Sequence, residues 1–184
     1  MLLDAARSQL LVVDLQMRLL PAILESEKVI ERTKVLLQAA GRLGVPVTVT
    51  EQYPRGLGST VPAIADALPI ETIILPKTSF SAAGDPAIAA HVAALRGQGR
   101  DQLLICGTEA HVCVLQSALG FRESGLHVFT IGDAISSRAA HSIDATRGRL
   151  LHAGCHWVTM EMVVFEWLEQ AGTEDFRTLS PLLK

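Results

Sequence analysis

The strongest constraint on this chain's fold is an alternation of short apolar runs, rich in β-branched residues, with longer segments of helical periodicity. Six such runs predict strands at residues 10–15, 45–50, 71–75, 102–106, 127–131 and 155–159. The intervening and final segments predict helices at residues 22–43, 63–68, 86–96, 112–123, 142–153 and 160–171. Strands that alternate with helices form a parallel sheet covered on both faces, and right-handed crossovers then give a three-layer αβα sandwich. The α/β class follows from this pattern, which leaves the strand order open.

Composition narrows the possible function classes. Hydrophobic residues make up 49% of the chain and charged residues 19%, which suits one folded domain over residues 1–184 rather than a disordered chain. The net charge of −3, without a basic run, disfavours nucleic acid as a partner. Apolar runs stop short of the ~20 residues of a membrane span, and the N-terminus does not resemble a signal peptide. Three cysteines do not make a disulfide framework. We therefore expect a cytoplasmic protein.

Four polar or reactive side chains follow predicted strands. Asp14 follows the first strand, Lys77 the third, Cys113 the fourth and Asp133 the fifth. In open parallel sheets, ligands bind beyond the carboxyl ends of the strands. The four residues are therefore expected on one rim of the sheet.

Cys113 is the most informative of these residues, because it stands at the start of a predicted helix. The helix dipole and a nearby Lys77 ammonium would both favour its thiolate. A carboxylate such as Asp14 could take the thiol proton and later return it. Backbone N–H groups of residues 107–113 could supply an oxyanion hole. The alternative is that Cys113 is a small buried hydrophobic residue, which is the commonest fate of a free cysteine.

Three separated motifs carry a family resemblance. Asp14 stands in LLVVDLQ, Lys77 in PKTSFS and Cys113 in GTEAHVCV. In this order they resemble the isochorismatase-like cysteine hydrolase superfamily, from about residue 8 to the final helix. The segments TEQYPRGLG and GDAISSR are similar to the subgroup of isochorismatase-domain-containing proteins, whose natural substrate is generally undefined. The resemblance implies a Rossmann-like strand order of 3-2-1-4-5-6.

The resemblance also implies a mechanism. Asp14, Lys77 and Cys113 would form a catalytic triad, in which the thiolate attacks a carbonyl carbon and water hydrolyses the resulting acyl-enzyme. The family has a non-proline cis peptide before the nucleophile's helix, which by alignment would be Thr108–Glu109. That bond would aim the N–H of Glu109, together with that of Cys113, at the oxyanion. The family further implies a homo-oligomer, at least a dimer.

Two departures from the family pattern limit the function. Metal-binding nicotinamidases of the superfamily carry an Asp-x-His pair after the second strand, whereas residues 50–54 here read TEQYP. We therefore expect neither metal nor other cofactor. Isochorismate-cleaving members can act without the cysteine, so Cys113 favours a small amide-like substrate with a C–N bond. The alternatives are a vinyl-ether hydrolase and a noncatalytic interaction module that retains the fold.

Substrate-pocket candidates follow the same strand ends: Gln16, Tyr53, Phe80 and Arg138. Arg138 could hold a substrate carboxylate or form an ion pair with Asp133, and the sequence does not decide between them. His111 lies two residues before Cys113 at a helix start, where the two side chains point in different directions. A loop or interface role for His111 is therefore favoured over a Cys–His dyad.

The last predicted helix bears on assembly. It is apolar around much of its circumference, through Met160, Met162, Val163, Val164, Phe165, Trp167 and Leu168. A helix that covers one sheet face needs only a stripe of roughly 100°. The remaining apolar surface is expected to contact a partner subunit or the tail at residues 176–183.

Overall fold

The computed structural model describes residues 1–183 and contains a six-stranded, all-parallel sheet. The strands are β1 (Ser8–Val13), β2 (Val47–Gln52), β3 (Ile73–Lys77), β4 (Gln102–Thr108), β5 (His127–Ser136) and β6 (His156–Val158). Their spatial order is β3-β2-β1-β4-β5-β6, with every neighbouring pair parallel. The predicted αβα architecture and strand order are confirmed.

Helices cover both faces of this sheet. They are α1 (Ser26–Leu43), α2 (Pro54–Leu57), α3 (Pro62–Ala65), α4 (Pro86–Gly97), α5 (Leu115–Glu123), α6 (Ala140–His152), α7 (Met160–Leu168) and α8 (Glu174–Leu179). Local chemistry sets several ends. The Asp85 side chain accepts hydrogen bonds from the first turn of α4, where Pro86 needs no acceptor. Gly44 ends α1 in a left-handed conformation with φ of 67°.

The core lies around the two central strands. Every residue of β1 and β4 is buried, which explains why their sequences read as apolar runs without alternation. The β3 strand lies at the sheet edge, and Ile73 and Ile74 on it are 41% and 45% exposed. Among residues 1–183, no helix is long and apolar enough to cross a bilayer.

Strand β5 differs most from its prediction, because it extends to Ser136 instead of ending at residue 131. Its register with β4 shifts between Ile105 and Gly107, after which Ser136 pairs with Thr108. Asp133 therefore lies within β5 rather than beyond it. Its Oδ1 accepts a hydrogen bond from the N–H of Met160 at 2.7 Å. Because Met160 comes just after the carboxyl end of β6, Asp133 does lie near that edge of the sheet, but it contacts Met160 and Arg32 rather than the Asp14–Lys77 pair.

Helix α7 is covered by its own chain more fully than the sequence indicates. Five of its apolar side chains are buried: Met160, Val163, Val164, Trp167 and Leu168. Trp167 is 4% exposed, and its Nε1 donates to Ser8 Oγ at 2.9 Å. Only Met162 and Phe165 are about half exposed, at 52% and 45%. The surplus apolar surface expected on this helix is therefore a small patch, and Trp167 is not part of it.

Candidate active site

The carboxyl ends of β1 and β4 approach each other closely where the site begins. Asp14 follows β1 with a left-handed φ of 52°. Gly107 has a φ of 109°, and a Cβ built there would lie 2.0 Å from the Val13 carbonyl oxygen. Only glycine allows this approach. The Thr108 hydroxyl then donates to the Asp14 carbonyl oxygen at 2.9 Å, which ties the two strand ends together.

A buried ion pair forms the floor of the site. Lys77 Nζ donates to Asp14 Oδ2 at 2.8 Å, and neither side chain has exposed surface. Thr50 Oγ1 donates to the other carboxylate oxygen, Oδ1, at 2.6 Å. Charges this deeply buried persist only when they are paired and their remaining hydrogen-bonding groups are satisfied. The strand order explains why Asp14, Lys77 and Thr50 come together, because β2 lies between β1 and β3 and places Thr50 between the ends of those two strands.

Cys113 lies beside this pair, in a π-helical turn (Ala110–Val114) that continues into α5. Its thiol interacts with both Asp14 and Lys77. The pKa of Cys113 is raised to about 12, chiefly by burial and in part by the charge of Asp14, whereas the charge of Lys77 acts to lower it. The expectation that this environment favours the thiolate is wrong for the resting site. Lys77 cannot offset burial, since its charge is balanced by Asp14.

The segment between β4 and the π-helical turn contains a cis peptide bond, which joins Thr108 to Glu109. The Glu109 carbonyl accepts hydrogen bonds from the N–H groups of Val112 and Val114, which holds the turn that carries Cys113. The Glu109 side chain is 11% exposed and forms an ion pair with Arg138.

Comparison with known proteins places this geometry in a family. The family described as the isochorismatase domain matches residues 8–162. The chain belongs to the isochorismatase family. Isochorismatase domain-containing protein 2 of Danio rerio is 33% identical over 183 residues, which cover 98% of this chain and 89% of that protein.

Two solved structures extend the comparison for this isochorismatase-family chain. The MAR1 ribonuclease from Caenorhabditis elegans has a TM-score of 0.92 at 31% identity, covering 100% of this chain and 92% of that one. The YcaC gene product of Escherichia coli, described as an octameric hydrolase of unknown specificity, has a TM-score of 0.88 at 25% identity. That match covers 98% of this chain and 90% of that one.

The pocket candidates of the isochorismatase-family site fall into two groups. Tyr53 and Phe80 are each 55% exposed, and Phe80 presents its backbone carbonyl to Lys77 Nζ at 3.3 Å. Gln16 is fully buried, and its whole amide is engaged by backbone. Its Nε2 donates to the carbonyls of Gln52 and Gly58, and its Oε1 accepts from Gln52 N–H. Gln16 therefore holds backbone in place rather than offering polar atoms to a substrate.

Arg138 has a different partner from the one considered from the sequence. Its Nε donates to Glu109 Oε2 at 2.7 Å, and its side chain is 60% exposed. Asp133 is 3.9 Å from Arg32 instead. His111 Nδ1 lies 2.9 Å from Ser137 Oγ, which agrees with a role in the loop rather than in a Cys–His dyad.

Two residues that contact the Asp14–Lys77 pair were missed by the sequence analysis, namely Thr50 and Gln52 on β2. Lys77 Nζ donates to Gln52 Oε1 at 2.6 Å. A sequence signal existed, because the polar residues Thr48, Thr50 and Gln52 occur at every second position and so share one sheet face. Within residues 1–183, no group of three His, Cys, Asp or Glu side chains could hold a metal ion.

Proposed function

We propose that this chain is a cofactor-free hydrolase of a small amide-like substrate, with Cys113 as nucleophile, Asp14 as proton carrier and Lys77 as the charge that holds Asp14. One observation carries the proposal: a cysteine in a helical turn lies against a fully buried Asp–Lys pair. A buried pair is often no more stabilising than apolar residues of similar volume, so its presence next to a thiol favours a chemical role.

The resting protonation state determines the first step. Because the pKa of the Cys113 thiol is about 12, the thiol keeps its proton until a substrate binds. Asp14 takes that proton as sulfur attacks the carbonyl carbon, and the C=O electron pair moves onto oxygen. The N–H groups of Glu109 and Cys113 donate to this oxyanion.

The second half of the reaction restores the site. The oxyanion collapses, the C–N bond breaks, and Asp14 gives its proton to the leaving nitrogen. Water then attacks the thioester and passes a proton to Asp14, which returns it to sulfur as the C–S bond breaks. The net change is an amide and water converted to a carboxylic acid and an amine or ammonia.

The pocket wall would come from Tyr53, Phe80 and Arg138. Arg138 is anchored through Nε, and within residues 1–183 its terminal nitrogens make no hydrogen bond. They are therefore open to a polar or anionic end of the substrate.

The decisive experiment is a screen of small carboxamides, ureas and amidated acids, read by ammonia release. Wild type should release ammonia with at least one compound, and Cys113→Ala should release none while keeping its fold. Cys106→Ala, which removes a buried thiol on β4, is the matched control and should retain turnover. Full ammonia release by Cys113→Ala would refute the covalent mechanism and favour direct attack of water on the carbonyl carbon.

Two further outcomes of the screen concern other function classes. Absence of turnover with every compound would favour a noncatalytic interaction module. Adding single-stranded RNA to the screen tests for ribonuclease activity, which is the activity that the name of the structurally similar Caenorhabditis elegans protein gives. The net charge of −3 and a nucleophile only 5% exposed favour a small molecule over a polymer.

The structure also supports proposals about the cellular compartment and the oligomeric state of the enzyme. We propose a single domain in the cytoplasm, since all three cysteines are free and buried. We also propose a homo-oligomer, which is supported by the octameric Escherichia coli relative and by the exposed apolar residues of α7 and of edge strand β3.

A further inference from the structure

Gln52 occupies an unusual position for a buried amide. It is the last residue of β2, is 8% exposed and lies between the Lys77 ammonium and the backbone that follows β3. Its Oε1 is 2.6 Å from Lys77 Nζ, and its Nε2 is 2.8 Å from the Thr78 carbonyl oxygen.

The orientation of this amide is determined by its surroundings. The Thr78 carbonyl oxygen is an acceptor only, so the NH₂ group of Gln52 must face it. The amide oxygen is thereby directed at Lys77 Nζ. A reversed amide would place two donors together and two acceptors together, and would lose both hydrogen bonds.

The shell around Lys77 Nζ consists of oxygen acceptors. They are Asp14 Oδ2 at 2.8 Å, Gln52 Oε1 at 2.6 Å, and the carbonyl oxygens of Phe80 and Ser79 at 3.3 and 3.4 Å. Only an ammonium, with three hydrogens to donate, satisfies such a shell. Asp14 and Gln52 provide the two short contacts, so these two side chains define the position of the charge.

We propose that Gln52 is a positioning residue for the triad, because it holds the Lys77 ammonium at the one place where it contacts Asp14 and Cys113 together. This inference rests on the proposed cysteine-hydrolase function. Without the Gln52 oxygen, the flexible lysine side chain would keep Asp14 as its only close partner. The ammonium would then shift toward the carboxylate and stabilise the Cys113 thiolate less.

Gln52 is itself fixed by a second amide. Gln16 accepts from the Gln52 N–H at 2.7 Å and donates to the Gln52 carbonyl oxygen at 3.0 Å. Its remaining N–H donates to Gly58 O at 2.6 Å, which ties the loop that follows Tyr53 to the same point. The end of β2 is therefore rigid, and a displacement of Lys77 in a Gln52 variant would arise from the side chain alone.

The test measures Cys113 reactivity, which requires no substrate. The rate of Cys113 modification by 4,4′-dithiodipyridine is followed from pH 6 to pH 10 and read by peptide mapping. Gln52→Met, which keeps side-chain length but removes the acceptor, should slow modification at pH 8 by roughly three- to tenfold and move the profile to higher pH. Gln9→Met is the matched control, since Gln9 is also buried but bonds Arg100 O at the opposite end of the sheet. Its profile should equal that of wild type.

A double-mutant cycle with Lys77→Met decides whether Gln52 acts through Lys77. In that background, Gln52→Met should have no further effect on the Cys113 rate. An effect that persists at full size, or a Gln52→Met profile equal to that of Gln9→Met, would overturn the inference. Should Gln52→Met fail to fold, Gln52→Asn replaces it, because its amide is one methylene too short to reach Nζ. Failure of the hydrolase proposal is seen separately, as turnover in Cys113→Ala.

Discussion

Replacing Asp14 with asparagine should change the chemistry of Cys113 in two opposite ways. The Asp14 carboxylate raises the pKa of the thiol, and the Lys77 ammonium lowers it. In Asp14→Asn the ammonium loses its counter-charge, so the pKa of Cys113 falls and its thiolate becomes more abundant. Hydrolysis should nevertheless be lost, because a neutral amide cannot take the thiol proton and deliver it to the leaving nitrogen.

The size of the effect on Cys113 follows from its resting pKa of about 12. Removing a charge this close lowers a pKa by roughly 1–3 pH units, so the thiolate population at pH 8 rises about 10- to 1,000-fold. A thiolate of lower pKa is a weaker nucleophile, with a Brønsted coefficient of about 0.5 that halves the gain on a logarithmic scale. The net increase in the rate of reaction with a disulfide reagent is therefore about 3- to 30-fold.

The assay is modification by 4,4′-dithiodipyridine at pH 8, with each cysteine followed by peptide mapping. Cys106 and Cys155 serve as internal references, since neither takes part in the site, and their rates should not change. Circular dichroism checks the fold, because an unpaired buried ammonium costs about 3–5 kcal/mol. The double variant Asp14→Asn/Lys77→Met avoids that cost by removing both charges. Lys77→Met should react most slowly, Asp14→Asn fastest, and the double variant between them.

Two results would refute this reasoning. An unchanged or slower Cys113 rate in folded Asp14→Asn, with unchanged reference rates, would show that Asp14 does not govern the thiol. A faster rate combined with full hydrolysis would show that Asp14 influences the thiol but is not the base.

Two further predictions concern cofactors and assembly. Hydrolysis should survive exhaustive chelation, because residues 50–54 lack the histidine of metal-binding relatives; loss of activity that zinc or manganese restores would contradict this. Light scattering at micromolar concentration should give a mass well above the 19.8 kDa of one chain, and a mass near 20 kDa would contradict assembly. If α7 forms the contact, Phe165→Glu should shift the mass toward the monomer, whereas Trp167 is buried in its own subunit and does not test the interface.

The triad candidates could be found from the sequence because each lies at the carboxyl end of a strand or shortly after it. Asp14, Lys77 and Cys113 need only the rule that the carboxyl ends of parallel strands share one edge. The main helices could be predicted because their end signals are also local in sequence, namely the glycines that follow them and the capping residues Asp85 and Pro86. The ends of the strands were predicted less accurately. The extension of β5 depends on an irregular pairing with β4, which no local sequence pattern indicates.

The roles of Gln52 and Arg138 could not be derived in this way. Gln52 contacts Lys77 from 25 positions away, and Arg138 contacts Glu109 from 29 positions away. An amide or guanidinium accepts many partners, so its choice depends on which distant groups the fold places within reach. The direction in which the fold shifts the pKa of Cys113 could not be derived from the sequence either. Burial opposes the helix dipole, so the shift depends on how deeply the thiol is buried and on the charges beside it.

The sequence by itself thus determined the αβα class and the three side chains at the carboxyl ends of β1, β3 and β4, because periodicity and strand-end position are local properties. Only the tertiary structure decided that burial raises the pKa of the Cys113 thiol, that Gln52 contacts Lys77, and that Trp167 packs inward onto Ser8. These features depend on burial and on contacts between distant segments, which exist only after the chain has folded.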